Sequence, residues 1–367
     1  MLQSVLLAGW LLVALVAACR FAPPLLGPAS RYPAIEGLRG LLALMVVWSH
    51  GLRMLTIMPR PGIPNWSPLF VEHQPFHNLG SLAVAFFFCV TGFLFWERQA
   101  PTDLSKFMKG RVRRLTPAFL AQASLAAALT GLLILTGGES LGVLIRVKQL
   151  LSFATFGFTD LTVHPSAVVT MGMAWSLAYE WGFYLALPLL WVLRAHSRLL
   201  PHAVFILFCV YALASPVRYI TLFLWVGMLV AEVTPFLKEA LSLRARVLLS
   251  WSAVPLLGAW AVVGSFEFQL RAVPLVAALF LTVTLAVPGR GPLAGFSALP
   301  RLGQMAYSLY LIHGLVLFLL FLPLLPFQDT IGPRSFELWV GFSTIVAIAA
   351  ARGWYHLFER KFIHANS

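Results

Sequence analysis

The sequence predicts an all-α polytopic membrane protein, a bundle of about 10–11 transmembrane helices. Three observations predict it. Hydrophobic residues make up 60% of the 367 and charged ones only 11%, with a mean hydropathy of +0.85, which excludes an ordinary soluble domain. Eleven apolar stretches approach the roughly 20 residues that a helix needs to cross hydrocarbon. Finally, the 26 Lys and Arg residues are sorted by side: with eleven spans, 19 fall on one face and 7 on the other. The positive-inside rule gives that bias for a chain with its N-terminus outside and its C-terminus in the cytoplasm. The net charge of +13 is therefore topology, and no nucleic acid partner is expected.

The first stretch, residues 4–19, ends in Val16-Ala17-Ala18-Cys19, which resembles a lipoprotein cleavage site. No Lys or Arg precedes it, and placing Cys19 outside would invert the charge balance of every later loop. It reads instead as an extra N-terminal helix within residues 1–30, leaving 31–367 as one membrane domain. The second stretch, 40–58, follows Arg39 and carries His50. The third, 79–96, returns to the cytoplasm, where Arg98, Lys106, Lys109, Arg111, Arg113 and Arg114 gather ahead of the fourth, 115–136. Within the outer connection over 137–173, residues 141–151 fit an amphipathic helix lying in the interface. The fifth stretch, 174–193, carries Glu180 a turn or two in from the outer surface. The sixth to ninth are 199–217, 219–233, 247–263 and 272–287, with Lys238, Arg244 and Arg246 on the cytoplasmic side. The tenth, 302–327, places His313 near the midplane, and the eleventh, 336–355, leads to Arg360 and Lys361. Cys19, Cys89 and Cys209 all lie in or at the ends of apolar stretches, so no disulfide framework is expected.

Ionisable groups inside a span are functional candidates, because burial there is costly unless they pair or face a cavity. Arg39 and His50 are eleven residues apart, about 1100° of helix rotation, so they share a face roughly 16 Å apart along the axis. That face runs from the membrane surface towards the midplane. Glu180 and His313 reach similar depths from other helices, and a buried imidazole beside a carboxylate is what a general base needs. The alternative is that each merely ties one helix to another by a hydrogen bond: Ser176 lies one turn before Glu180, and Tyr310 one turn before His313. Two His and one Glu are also zinc-ligand types, but nothing in their spacing requires a metal. Arg111 and Arg114 share a helix face and could grip a phosphate through paired guanidinium groups, or meet only lipid headgroups.

Six segments then line up with a known family. Residues 31–50, opening Arg31-Tyr-Pro-Ala-Ile-Glu36-Gly-Leu-Arg39 and ending at His50, resemble the opening signature of the membrane-bound acyltransferase 3 family, with its Arg-x10-His motif. Phe86-Phe-Phe-Cys-Val-Thr91-Gly-Phe-Leu94 is similar to its Phe-Phe-x-x-Ser-Gly-Phe-Leu segment, and Arg111-Val-Arg-Arg114 to its Arg-x-x-Arg. Trp175-Ser-Leu-Ala-Tyr-Glu180-Trp-Gly-Phe-Tyr184 resembles Trp-Ser-Leu-x-x-Glu-x-x-Phe-Tyr. Ala306-Tyr-Ser-Leu-Tyr310-Leu-Ile-His313 and Tyr355-His-Leu-Phe-Glu359-Arg360 resemble the closing pair. Glu36 stands where an Asp is usual, Thr91 replaces a Ser, and Gly314 and Lys361 replace prolines.

The resemblance implies O-acyl transfer, acetyl being the family's commonest theme, from cytoplasmic acyl-coenzyme A to a hydroxyl of a carbohydrate or glycolipid at a bacterial inner membrane. Acyl-coenzyme A would be a donor substrate, with no permanently bound cofactor. Membrane lipids surround the chain, and any periplasmic or polysaccharide-export partner would be separate. His50, Glu180 and Arg39 would be catalytic: His50 as base, Glu180 orienting it or the acceptor, Arg39 stabilising or anchoring the donor. Arg111, Arg114, Trp175, Tyr310 and His313 would bind substrate. A covalent acyl-enzyme through Thr91 or Cys89 is the lesser route, since no Ser or Cys is sequence-adjacent to a base. The competing class is a proton-coupled carrier or flippase using His50, Glu180 and His313 as a relay.

Overall fold

The computed structural model describes residues 31–57, 74–97, 103–137, 174–212, 220–263, 272–295, 298–327 and 330–363, with isolated positions outside these runs. Among the described residues 91% are helical and none forms a strand. Helices lie over ten of the eleven apolar stretches: α1 Pro33–Ile57, α2 Gln74–Glu97, α3 Leu104–Gly137, α4 Ala174–His196, α5 Leu200–Ala212, α6 Thr221–Ala240, α7 Leu243–Val263, α8 Val273–Thr284, α9 Ala306–Phe321 and α10 Pro333–Trp354. The expected first span and the interfacial segment at 141–151 lie outside the described residues. By length and composition, α2, α4, α6, α9 and α10 are each apolar enough to cross a membrane. The chain is thus a multi-pass helical membrane protein.

Local chemistry sets the helix ends. Pro33 opens α1 at the position where its missing N–H costs nothing, and the Tyr32 carbonyl accepts from the Ile35 and Glu36 amides. Asp103 caps α3 by accepting from the Lys106 amide at 2.9 Å. The helix consequently begins well before residue 115 and absorbs the basic cluster Lys109 to Arg114. The expected tenth span is divided. A short helix, Ala298–Gln304, precedes α9, which tightens into a 3-10 segment, Leu322–Phe327, where Pro323 and Pro326 occur. Beyond α10 the chain winds into a π-helical turn, Tyr355–Glu359.

α1, α2, α6 and α9 form the centre: α2 packs on α6 and α1, α1 on Ala298–Gln304 and α9, and α9 on α10. Two of these crossings depend on glycine, since small residues let helix backbones approach without a hydrophobic driving force between them. A Cβ on Gly92 would collide with the Leu224 carbonyl and one on Gly227 with the Cys89 carbonyl, so α2 and α6 touch backbone to backbone. Gly40 meets the Leu299 carbonyl and Gly303 the Glu36 carbonyl in the same way. Around that centre, Phe86, Phe93, Trp96, Phe223, Phe280 and Phe321 are fully buried. Leu185, Leu189 and Val192 form an exposed apolar stripe on α4, a face that suits lipid.

Candidate active site

The α1 crossing with α9 brings His50 against His313. His50 Nδ1 lies 2.7 Å from His313 Nε2. The ring planes differ by 14° and the centroids are 5.0 Å apart. That separation is the nitrogen–nitrogen distance plus the two ring radii, so the imidazoles meet edge to edge, in line. His313 is wholly buried, and its Nδ1 sits 2.7 Å from the Tyr310 carbonyl and 3.2 Å from that of Leu309. A carbonyl only accepts, so His313 Nδ1 carries the proton and its Nε2 presents a lone pair. His50 Nδ1 must then donate to that lone pair, leaving the lone pair of His50 on Nε2. The backbone of α9 thereby sets the tautomer of a residue on α1.

Towards the Arg39 end of α1 lies a cavity of about 110 Å³, with Arg39, Thr91, Ser176, Glu180, Tyr307 and Tyr310 in its lining and Phe87 and Phe88 as apolar wall. Tyr310 borders both regions: its ring is 5.9 Å from that of His313, and its hydroxyl shares a 2.6 Å hydrogen bond with Ser176. Glu180 accepts from the Tyr184 hydroxyl one turn along α4. Tyr307 donates to the Leu115 carbonyl at 2.9 Å, tying α9 to α3.

Arg39 is held by Glu36, one turn before it, at 2.9 and 3.2 Å, and feels the charges of Glu180 and Glu359. Glu359 reaches the interior because the π-helical turn rotates it there; such turns recur at functional sites. It is wholly buried, accepts from Ser308 at 2.6 Å and lies 3.9 Å from Arg114. Arg111 stacks over Phe95 and Phe107 at 5.2 and 5.8 Å, and Arg111 and Arg114 both act electrostatically on Glu180. The Arg-x-x-Arg pair therefore faces inward, onto the carboxylates of the site.

The model of a family described as an acyltransferase domain matches residues 32–352, nearly the whole chain. The chain belongs to the acyltransferase 3 family. Among curated proteins and solved structures nothing matches. The enzyme is accordingly a membrane acyltransferase.

Of the residues singled out from the sequence, Arg39, Glu180 and Tyr310 line one cavity, with Arg111 and Arg114 acting on Glu180 from α3. His50 and His313 form a pair adjoining it through Tyr310. Among the described residues the ring partner of His50 is thus an imidazole, while Glu180 pairs with Tyr184. Trp175 packs on Tyr179 at 6.1 Å and is not part of the cavity lining. Thr91 lines the cavity, whereas Cys89 is buried and carries no disulfide. Sequence reasoning did not single out Glu36, Ser308, Tyr307 or Glu359; the signal for Glu359 was present in the closing segment from Tyr355.

Proposed function

We propose that the enzyme transfers an acyl group, acetyl in the simplest case, from cytoplasmic acyl-coenzyme A to a hydroxyl of a surface or exported carbohydrate, in a bacterial inner membrane with the N-terminus outside. The observation that carries this reading is the in-line contact of His50 with His313, which leaves a lone pair on His50 Nε2. In the proposed step that nitrogen takes the acceptor's hydroxyl proton as the oxygen attacks the thioester carbonyl. The C–S bond then breaks, the acyl C–O bond is kept, and the thiolate takes the proton back from the imidazolium. His313 spreads the charge that appears on His50, a role normally given to a carboxylate.

Arg39, about 16 Å along α1 from His50 and held back by Glu36, meets the donor's arm short of the thioester and anchors it there. Glu180 and Tyr310, bordering the same cavity, orient the reacting groups. Arg111 and Arg114 bring positive charge to Glu180, and Arg114 also to Glu359, and so help to hold the cavity in shape. No step requires a bound metal or a resident cofactor, and an export or periplasmic partner would be a separate chain.

The test compares surface glycans by mass spectrometry and proton NMR in cells carrying the wild type, His50→Ala, or no copy of the gene. Loss of one acyl ester in both altered strains supports the reading and identifies group and acceptor. Unchanged glycans in the strain lacking the gene would reject a glycan acceptor, and loss in that strain alone would reject His50 as the base.

A further inference from the structure

A second cavity, about 230 Å³ and twice the volume of the first, opens at the cytoplasmic end of α1. Arg31, Tyr32, Lys238 and Arg246 line it together with the backbone turn after α8. The three cations come from three separate places: the entry to α1, the last turn of α6 and the first turn of α7. Loop cations that merely satisfy the positive-inside rule can spread apart in water, whereas these converge. Lys238 feels the charges of both Arg31 and Arg246. Arg246 also stands in the first turn of a 21-residue helix, where the macrodipole disfavours a cation.

One carboxylate is shared among them. Glu97 lies 2.9 Å from Arg31 and accepts from the Tyr32 hydroxyl at 2.5 Å. Burial, and then Glu97 itself, push the Tyr32 phenol up to about 12, so it stays a neutral donor. The Tyr32 ring arranges the charges around it, with Arg31 at 5.6 Å and the Lys238 amine at 4.8 Å. Arg246 is fixed by donating its Nε to the Leu285 carbonyl at 3.0 Å, which leaves its terminal nitrogens as the donors available to a ligand. Three cations against one carboxylate leave the cavity with an excess of two positive charges.

We propose that this cavity is a phosphate-binding subsite that takes the nucleotide end of the acyl-coenzyme A donor; the choice of donor rests on the function proposed above. The geometry fits an extended donor. Tyr32, just before α1, and Arg39 are seven residues apart, about 10 Å along the helix axis, so phosphates held at the mouth direct the remaining arm past Arg39 towards Glu180. The site also divides the labour among the arginines. Arg111 stacks on Phe95 and Phe107 and Arg114 faces the buried Glu359, so the phosphates are met by the cations that line this second cavity.

The test is isothermal titration of the full-length protein in phosphatidylcholine nanodiscs with coenzyme A, with pantetheine and with inorganic pyrophosphate. The variants are the double substitution Lys238→Ala/Arg246→Ala and, as a charge-preserving control for folding, Lys238→Arg. The expected result is a loss of roughly tenfold or more in coenzyme A and pyrophosphate affinity in the double variant. Pantetheine binding should be unchanged, and Lys238→Arg should stay near wild type. Equal coenzyme A affinity in wild type and double variant would overturn the subsite while leaving the donor assignment standing. Pyrophosphate binding that the double variant loses, with no coenzyme A binding to either protein, would overturn the donor assignment and keep the phosphate site. If nanodiscs enriched in phosphatidylglycerol abolish pyrophosphate binding without weakening coenzyme A, the occupant is a lipid headgroup and the nucleotide assignment is overturned.

Discussion

His50 and His313, 263 residues apart in the chain, meet nitrogen to nitrogen at 2.7 Å, and the Tyr310 carbonyl at the far side of His313 fixes which nitrogen of each ring holds a proton. The relationship makes His313 a positioning residue. His313→Ala should lower kcat about 100-fold with KM little changed, because it removes the acceptor that orients the reacting imidazole, and a positioned base contributes about 10²–10⁴-fold. His313→Gln keeps a side-chain carbonyl that can accept from His50 Nδ1 and should recover part of the loss. Equal loss in both variants would mean that His313 acts through packing alone.

Arg39 is held by both oxygens of Glu36. Arg39→Lys preserves the charge but not the planar fork, so it should cost activity nearly as much as Arg39→Ala. Glu36→Asp, which keeps the carboxylate, should be mild. Steady-state kinetics of the three variants decide the matter; an active Arg39→Lys would show that charge alone suffices.

The α2–α6 crossing should be intolerant of even one methyl group. Gly227→Ala places its Cβ against the Cys89 carbonyl, and overpacking of this kind costs about 1–3 kcal/mol. Gly341, with open space where a Cβ would go, is the matched control. Thermal unfolding in detergent should show a lowered midpoint for Gly227→Ala and none for Gly341→Ala.

A separate ionic group should affect stability without touching chemistry. Glu232 accepts from Trp96 at 2.9 Å and lies 3.1 Å from Arg194, whose guanidinium also stacks on Trp96 at 4.5 Å. Glu232→Ala leaves the Trp96 indole N–H without its acceptor, while Arg194 keeps its bond to the Trp96 carbonyl at 2.7 Å, and should destabilise by about 1–3 kcal/mol. Activity per folded molecule should be retained; a selective loss of kcat would place this group in the reaction.

Much of the fold was legible because hydrocarbon dictates composition: a segment that must cross it can hardly be anything but apolar, and α2, α4, α6, α9 and α10 read out directly. The extension of α3 through the basic cluster was not, since an Arg-rich segment outside the apolar stretches looks the same as loop or helix. It took the Asp103 cap to start the helix early. In the site, Arg39 and Glu180 were identifiable because ionisable groups in or at the ends of spans are rare, and Tyr310 because it lies one turn before His313 in the segment that resembles the family's. Their partners were not. Which helix crosses α1 opposite His50 depends on tertiary packing, and no spacing within one segment reports a crossing. Glu359 was hidden for a local reason, the π-helical turn that swings it inward.

In the proposed reaction His50 takes the proton of a carbohydrate hydroxyl as that hydroxyl attacks a cytoplasmic acyl thioester. Inverted membrane vesicles supplied with radiolabelled acetyl-coenzyme A test it most directly, by following label into an alkali-labile carbohydrate ester in wild type and His50→Ala. The account predicts steady transfer in wild type and a fall of about 10²–10⁴-fold in the variant, the range a general base contributes. Label transferred equally well by His50→Ala would contradict it.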